Sequence, residues 1–516
     1  MRQAGMELPP KIISESNPIE KGPGALYAAF ALFAAGLLVY SQTLAFHWDE
    51  GFHILTAHLI SAGKRPYLDF FFPQTPLNAY WNAAWMAVFG HSWRAVHAIA
   101  ALATVGSVAL IAQYLFALFP DRRWRPGVAF AALALFGLNS LVWEFGAISQ
   151  AYALCLLLIV AAFRSAAAAV SRPRFLMCAL AGILAGAAAA SSLLIAAAPV
   201  VLLVWIWANN RAGSRWQKIA GFVVGAAIPW APILWLFARG PHQVIFNIIK
   251  FHLFYRSVNW SGATGNDIGV ATGWINNSPS LLLVLLAFAG LFAIRKMGFD
   301  SARRSEFRLC LWLTAAMGAQ NLTAHPTFSQ YFIFLLPFLT VVAAIGFYTV
   351  ALRLVDSGRP RVCVIVMLCV AVLCLGSSLY DQDEDYCTWR QLERVTDKVK
   401  QVTPKDAPLY APEQIYFLAR WPVPYGLEHD DSSKFQLSEA ESARLHVLPK
   451  GEGDRRIKAG SYATAVVCDD DKRADELQGW DIYSQNADFG ECTVFWQLTP
   501  KTAQPSSPLG PDSAED

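Results

Sequence analysis

Asp49 and Glu50 stand side by side just beyond a long apolar run, and His53 follows within one helical turn of both. Two carboxylates at such a boundary are costly unless they have partners or work to do. A carboxylate beside a second carboxylate suits a general base with a tuned pKa. If the segment is helical, Asp49, Glu50 and His53 share a face. That face can hold a divalent metal, and it can equally be an ordinary hydrogen-bonded set. A further reading is local: acidic residues at a helix start complement its dipole and cap its free N–H groups. His58, about a turn further on, is placed at the interface.

Three other groups of residues carry candidate chemistry. In the turn Gly63-Lys-Arg-Pro-Tyr-Leu-Asp69, Arg65 can touch a phosphate, while Tyr67 and Asp69 can shape a cavity. Lys250, His252 and Arg256, with Tyr255 between them, can clamp a phosphate, since ammonium and guanidinium groups are its usual partners. His325, Gln330 and Tyr331 lie at a third turn. Each group also has a plainer reading, as a solvated loop, a charged helix end and a structural His-Pro turn respectively.

The elements that must position these residues are apolar. The chain has 516 residues, 55% hydrophobic and 15% charged, with a formal net charge of +3. That excludes an ordinary soluble domain and shows no nucleic-acid footprint. Apolar runs at 25–44, 93–118, 127–141, 147–163, 175–190, 192–208, 219–238, 280–295, 309–324, 330–350 and 362–379 predict a polytopic α-helical membrane protein of about eleven spans. Arginine and lysine cluster in alternate short loops, which the positive-inside rule makes cytoplasmic together with residues 1–24. The first run lacks a small-residue cleavage site and reads as an anchor.

Two external loops follow, at 45–92 and 239–279. The first predicts two surface helices, Asp49 to Ser61 and Pro76 to Phe89, with Thr75 as N-cap. The second lacks clear periodicity and reads as a functional or mobile loop. Residues 380–500 have soluble composition. A helix over Cys387 to Val402 and strands at 408–411, 463–468 and 492–498 predict a small extracytoplasmic α/β domain. The tail 501–516 has a disordered composition. Of the nine cysteines, two among Cys387, Cys468 and Cys492 can pair in an oxidising compartment.

The blocks Asp49-Glu-Gly-Phe52, Gly63-Lys-Arg-Pro-Tyr-Leu-Asp-Phe-Phe-Phe-Pro-Gln-Thr-Pro-Leu77 and Tyr80-Trp81 resemble the first external loop of GT-C type membrane glycosyltransferases. These include lipid A aminoarabinose transferases, protein O-mannosyltransferases and rhizobial lipopolysaccharide galacturonosyltransferases. Gln330 to Phe338 and Ala411 to Arg420 are similar to later parts of the same families. The chain has Gln74-Thr-Pro where the aminoarabinose transferases tend to carry Lys-Pro-Pro.

The resemblance implies a GT-C fold with an acidic catalytic residue at Asp49. It implies a sugar on polyprenyl phosphate as donor, and a lipid, glycan or protein of the cell envelope as acceptor. The expected enzyme is an inverting glycosyltransferase of the cytoplasmic membrane, with its site on the outer face. Asp49 and Glu50 are then the catalytic pair, Lys250, Arg256 and Arg65 hold the donor phosphate, and His53, Tyr67, Asp69, Tyr255, His325, Gln330 and Tyr331 line the cavity. No cofactor is required by this scheme, and a divalent metal on Asp49, Glu50 and His53 is an open option. The rival class is a transporter or flippase of lipid-linked envelope precursors, which would carry midplane charges and inverted repeats.

Overall fold

The computed structural model describes residues 24–43, 49–171, 175–209, 215–257, 261–354, 360–383, 388–429, 435–468 and 480–499. The expectations for residues 1–23, Cys387 and the tail 501–516 lie outside these.

Every predicted span holds helix. The order is α1 (Gly24–Thr43), α2 (Glu50–Ser61), α3 (Leu77–Phe89), α4 (Trp93–Leu118), α5 (Arg125–Ala132), α6 (Ser140–Phe145), α7 (Tyr152–Ser171), α8 (Phe175–Ser191), α9 (Ala197–Asn209), α10 (Arg215–Ala227), α11 (Ala231–Arg239), α12 (Pro241–Ile245), α13 (Ala263–Asn276), α14 (Ser278–Ala293), α15 (Ser301–Thr323), α16 (Leu336–Leu354) and α17 (Pro360–Asp383). Six helical stretches among the described residues are long and apolar enough to cross a membrane, and the bent pair α13–α14 would make a seventh. α8 and α9 are shorter apolar helices, separated at Ser192, whose hydroxyl accepts from the Leu194 N–H. The long run Phe175 to Asn209 therefore breaks at the serine pair, as the sequence predicts.

Small residues let the helices approach closely. A Cβ on Gly346 of α16 would lie 1.8 Å from the Leu286 carbonyl oxygen of α14, and one on Gly186 of α8 would lie 2.2 Å from that of Ala226 in α10. In a bilayer, where apolar side chains gain little by leaving lipid, such backbone contact is what holds helices together.

The segment 239–279 is not a loop. After α12 the chain continues as a π-helix, Phe246–Tyr255, and then as α13. The apolar residues Phe246, Phe251 and Tyr255 follow its wider turn and pack with Phe71, Phe435 and Leu445 in one aromatic cluster. A helix with i→i+5 bonding has no α-helical period to detect, and π-helical turns occur often at functional sites.

The C-terminal part holds α18 (Trp389–Val402), α19 (Glu413–Ala419), α20 (Glu439–Leu445), α21 (Glu452–Lys458) and four strands, β1 (Leu409–Tyr410), β2 (Thr464–Cys468), β3 (Tyr483–Phe489) and β4 (Cys492–Leu498). The sheet order is β1-β2-β4-β3, parallel only between β1 and β2. α18 begins in a capping box made by Thr388 and Gln391. Cys468 and Cys492 face each other across β2 and β4 and form a disulfide.

This part shares a core with the first loop. Phe52, Leu55, Tyr67, Phe70 and Phe72 pack in the same cluster as Leu392, Ile415, Tyr416 and Val466. Trp389 stacks on Trp93 with ring centroids 3.3 Å apart.

The close helix contacts predict opposite outcomes for two glycines. Gly346→Ala should lower the yield of folded protein and its unfolding midpoint in detergent. Gly376→Ala on α17, where an added Cβ meets nothing within 4 Å, should leave both unchanged or slightly improved.

Candidate active site

The first loop folds as α2 and α3 joined by a compact turn. Asp49 occupies the N-cap position of α2 but makes no capping hydrogen bond, and it is exposed. Glu50, the next residue, is wholly buried. Its Oε1 lies 2.6 Å from His97 Nε2 and accepts the Ser149 backbone N–H at 2.7 Å. His97 turns its other ring nitrogen, Nδ1, to the Ser41 carbonyl oxygen at 2.7 Å. Two acceptors on the two ring nitrogens call for a proton on each, so the pair is a carboxylate with an imidazolium. Burial pushes the Glu50 carboxyl up, but the His97 charge and the hydrogen bonds from His97 and Ser149 outweigh it and hold the group below its ordinary value.

Glu50 is therefore not a second carboxylate open to substrate, as expected from sequence, but a tie between α2, α4 and the segment before α7. Asn78 and Asn82 of α3 both donate to the Ser149 carbonyl, at 2.9 and 2.7 Å, and fix that segment from the other side.

The predicted metal set does not assemble. Glu50 is committed to His97 and Ser149, and no group of three or more His, Cys, Asp and Glu able to hold a metal occurs among the described residues. His53 is buried, stacked on Phe52, and its Nδ1 has no hydrogen-bond partner. Burial and the nearby His429 lower its pKa to about 3 against an opposing pull from Glu50. It is a neutral imidazole in an apolar pocket, and we derive no step through a metal.

Arg65 and Asp69 bind each other. The guanidinium contacts the two carboxylate oxygens at 2.9 and 2.6 Å, and the Arg65 N–H adds a third bond at 2.7 Å. Arg65 is exposed and holds Asp69 through two of its guanidinium N–H groups. Tyr67, fully buried at a positive φ of 68°, donates to the Gln74 carbonyl at 2.5 Å and shapes the loop from within. Thr75 does not cap α3: Pro76 holds that position, and the buried Thr75 hydroxyl has no partner.

The π-helix is pinned to the same loop. Asn247 accepts the Phe72 N–H at 2.9 Å, and His252 Nε2 lies 2.7 Å from the Pro73 carbonyl oxygen. Arg256 ends the π-helix, donates to the Tyr331 hydroxyl and lies over the Phe328 and Tyr331 rings. Lys250 is half-buried. Six positions from Arg256, it leaves a different face of a helix with this i→i+5 pitch. Tyr255 packs into the aromatic cluster. His325 pairs with Asp267 at 2.7 Å, and Asp267 also accepts the Thr327 N–H, which makes this turn structural. Gln330 is buried beside Tyr331.

Asp49 and Arg256 are both within electrostatic range of Tyr331 and of Tyr152, the first residue of α7. The structure thus brings together Asp49, Arg256, Tyr331 and Tyr152, while Arg65, Asp69 and His325 are occupied elsewhere. Sequence reasoning missed His97 and Tyr152. An ionisable residue inside the apolar run 93–118 was the available signal for His97; Tyr152 sits in an apolar run with nothing to mark it.

No family model and no curated protein matches the sequence. Solved structures do. ArnT from Cupriavidus metallidurans bound to undecaprenyl phosphate superposes with a TM-score of 0.63 at 15% identity, over 92% of this chain and 98% of that one. The apo state of ArnT gives 0.61 at 17% identity, over 91% and 98%. This chain has the GT-C fold. It is a multi-pass membrane protein.

The depressed Glu50 carboxyl makes a pH prediction. Its contribution to stability is fully present above the ordinary value of 4.5 and is lost as pH falls through the lower folded value. Thermal unfolding of Glu50→Gln at pH 7 should show a loss of about 3 kcal/mol, as expected when one partner of a buried pair is removed. The gap to wild type should narrow as pH is lowered below 4.5. A constant gap would mean that the carboxylate does not carry the pairing.

Proposed function

We propose that the protein is an inverting glycosyltransferase that takes a sugar from a polyprenyl-phosphate donor on the outer face of the cytoplasmic membrane. The observation that carries this is the division of the acidic pair. Glu50 is buried and committed to His97 and Ser149, whereas Asp49 is exposed, and both Asp49 and Arg256 are within electrostatic range of Tyr152 and Tyr331. The GT-C fold, shared with a protein solved with undecaprenyl phosphate bound, supports the donor class.

In this scheme the Asp49 carboxylate takes the proton of an acceptor hydroxyl as its oxygen attacks the anomeric carbon. The bond from that carbon to the phosphate oxygen breaks, and its electron pair leaves on the polyprenyl phosphate. The added negative charge is met by Arg256. Phosphate is a good leaving group once its charge is stabilised, so a positioned cation matters more here than a general acid. Inversion follows from attack on the face opposite the leaving group. The acceptor is a lipid, glycan or protein of the envelope.

The disulfide between Cys468 and Cys492 supports an extracytoplasmic C-terminal domain, because such bonds persist mainly in oxidising compartments. Since that domain and the first loop share one core, it supports the same side for Asp49.

Mass spectrometry of lipid and envelope fractions from cells lacking the protein should reveal a missing sugar that wild-type protein restores. Asp49→Asn should restore it at a rate lower by about 10²–10⁴, the usual range for a general base. Arg256→Ala should slow transfer by about ten- to a hundredfold, and Lys250→Ala, on a different face of the π-helix, should leave it near the wild-type rate. Full restoration by Asp49→Asn, at equal protein level, would sink the catalytic assignment and favour a transporter or flippase.

Orientation has its own test. With Cys363, Cys369 and Cys374 replaced by alanine, a cysteine at Gly265 should react with an impermeant thiol reagent from outside. One at Ala302, in the basic first turn of α15, should react only after the membrane is opened. The reverse pattern would overturn the outer-face location.

A further inference from the structure

Tyr152 opens α7, a helix of 20 residues. Its ring packs against Phe145 at 5.6 Å and Phe334 at 5.5 Å between centroids. Phe334 follows Tyr331 by three positions in the 3₁₀ helix Ser329–Leu335. Such a helix stacks residues three apart directly above one another, roughly 6 Å along its axis. Tyr152 is thereby held against the same column that presents Tyr331.

The residue is more than nine-tenths buried, yet its hydroxyl makes no hydrogen bond to the described residues. A buried tyrosine hydroxyl normally finds a partner. Charged groups of opposite sign, Asp49 and Arg256, lie within range of it. The backbone adds to this. The Cys155 N–H is the first to reach back a full turn, to the Ala151 carbonyl at 2.9 Å. The amides before it have no helical acceptor, and the positive end of the helix dipole sits with them. An unpartnered hydroxyl at a helix amino end, with a guanidinium within electrostatic range, suits an anion with several oxygens.

We propose that Tyr152 and the amino end of α7 bind the donor's phosphate together with Arg256 and Tyr331, the Tyr152 hydroxyl donating to a phosphoryl oxygen. This rests on the polyprenyl-phosphate reading above. Tyr331 accepts from Arg256 and so keeps its own proton to donate. The two tyrosines and the guanidinium then surround the group on which negative charge builds as the sugar departs.

Binding of farnesyl phosphate to the purified full-length protein, with farnesol as the uncharged control, tests the assignment. Tyr152→Phe should weaken farnesyl phosphate binding roughly tenfold, the scale of one hydrogen bond to a charged group, and leave farnesol unchanged. Because the hydroxyl has no protein partner, the unfolding midpoint should not move. Tyr152→His, which keeps a donor, should recover part of the affinity. Arg256→Gln with Tyr152→Phe should lose less than the product of the two single losses if both hold one phosphate.

Wild-type affinity in Tyr152→Phe beside a loss in Arg256→Gln would overturn the role of Tyr152 and leave the donor reading standing. Unchanged affinity with slower turnover would also overturn it, by moving Tyr152 to the service of Asp49. If wild-type protein binds farnesyl phosphate no better than farnesol, the phosphate reading itself falls.

Discussion

The structure around the site depends on one buried contact, the Glu50 carboxylate against His97. Taking two charges out of water costs several kcal/mol per ion, and their attraction only roughly offsets it. Such a pair adds little net stability, but it strongly penalises any arrangement that separates its partners. Here the partners belong to α2 and α4, and the Ser149 amide brings in the approach to α7. Three elements far apart in sequence are held in one register by one side chain. Asp49 is the neighbour of that side chain, so its position is inherited from the pair. The two adjacent carboxylates thus have opposite environments, one buried and paired, the other exposed, and such a difference is what separates the roles proposed for them.

How much of this was legible in the sequence depends on the distance over which each feature is encoded. α4 was predicted over the same residues it occupies, because an apolar run of that length has one solution in a bilayer and Ser92 caps its start. The break in the run Phe175 to Asn209 was marked by Ser191 and Ser192. β3 was missed because its residues Ser484 to Asp488 are polar and lie at the sheet edge, where no alternation of burial is imposed. The π-helix was taken for a loop because its period is not the one sought.

At the site, Asp49 stood out by its type beside an apolar run, and the pairing of Arg65 with Asp69 was implicit in their spacing of four. The partners of Glu50 are 47 and 99 residues away, and no local pattern points to them. Thr75 illustrates a local rule overridden: the residue before a proline is disfavoured in helical conformation, yet the chain cap moved to Pro76 itself and buried the threonine hydroxyl.

The same loop that carries Asp49 also fixes the cation. A π-helix is a poor backbone on its own terms, and this one is held from outside, by Asn247 on the Phe72 amide and His252 on the Pro73 carbonyl. Arg256 is the residue just past its end. Asp49 and Arg256 are therefore both referenced to the segment 49–77, which Glu50 ties to the membrane helix α4 through His97. That segment is in turn packed into the core of the C-terminal domain through Phe52, Tyr67 and Phe72 against Ile415 and Tyr416. The transfer proposed above, in which a proton acceptor and an anion-holding cation act on one bond, requires such a common frame.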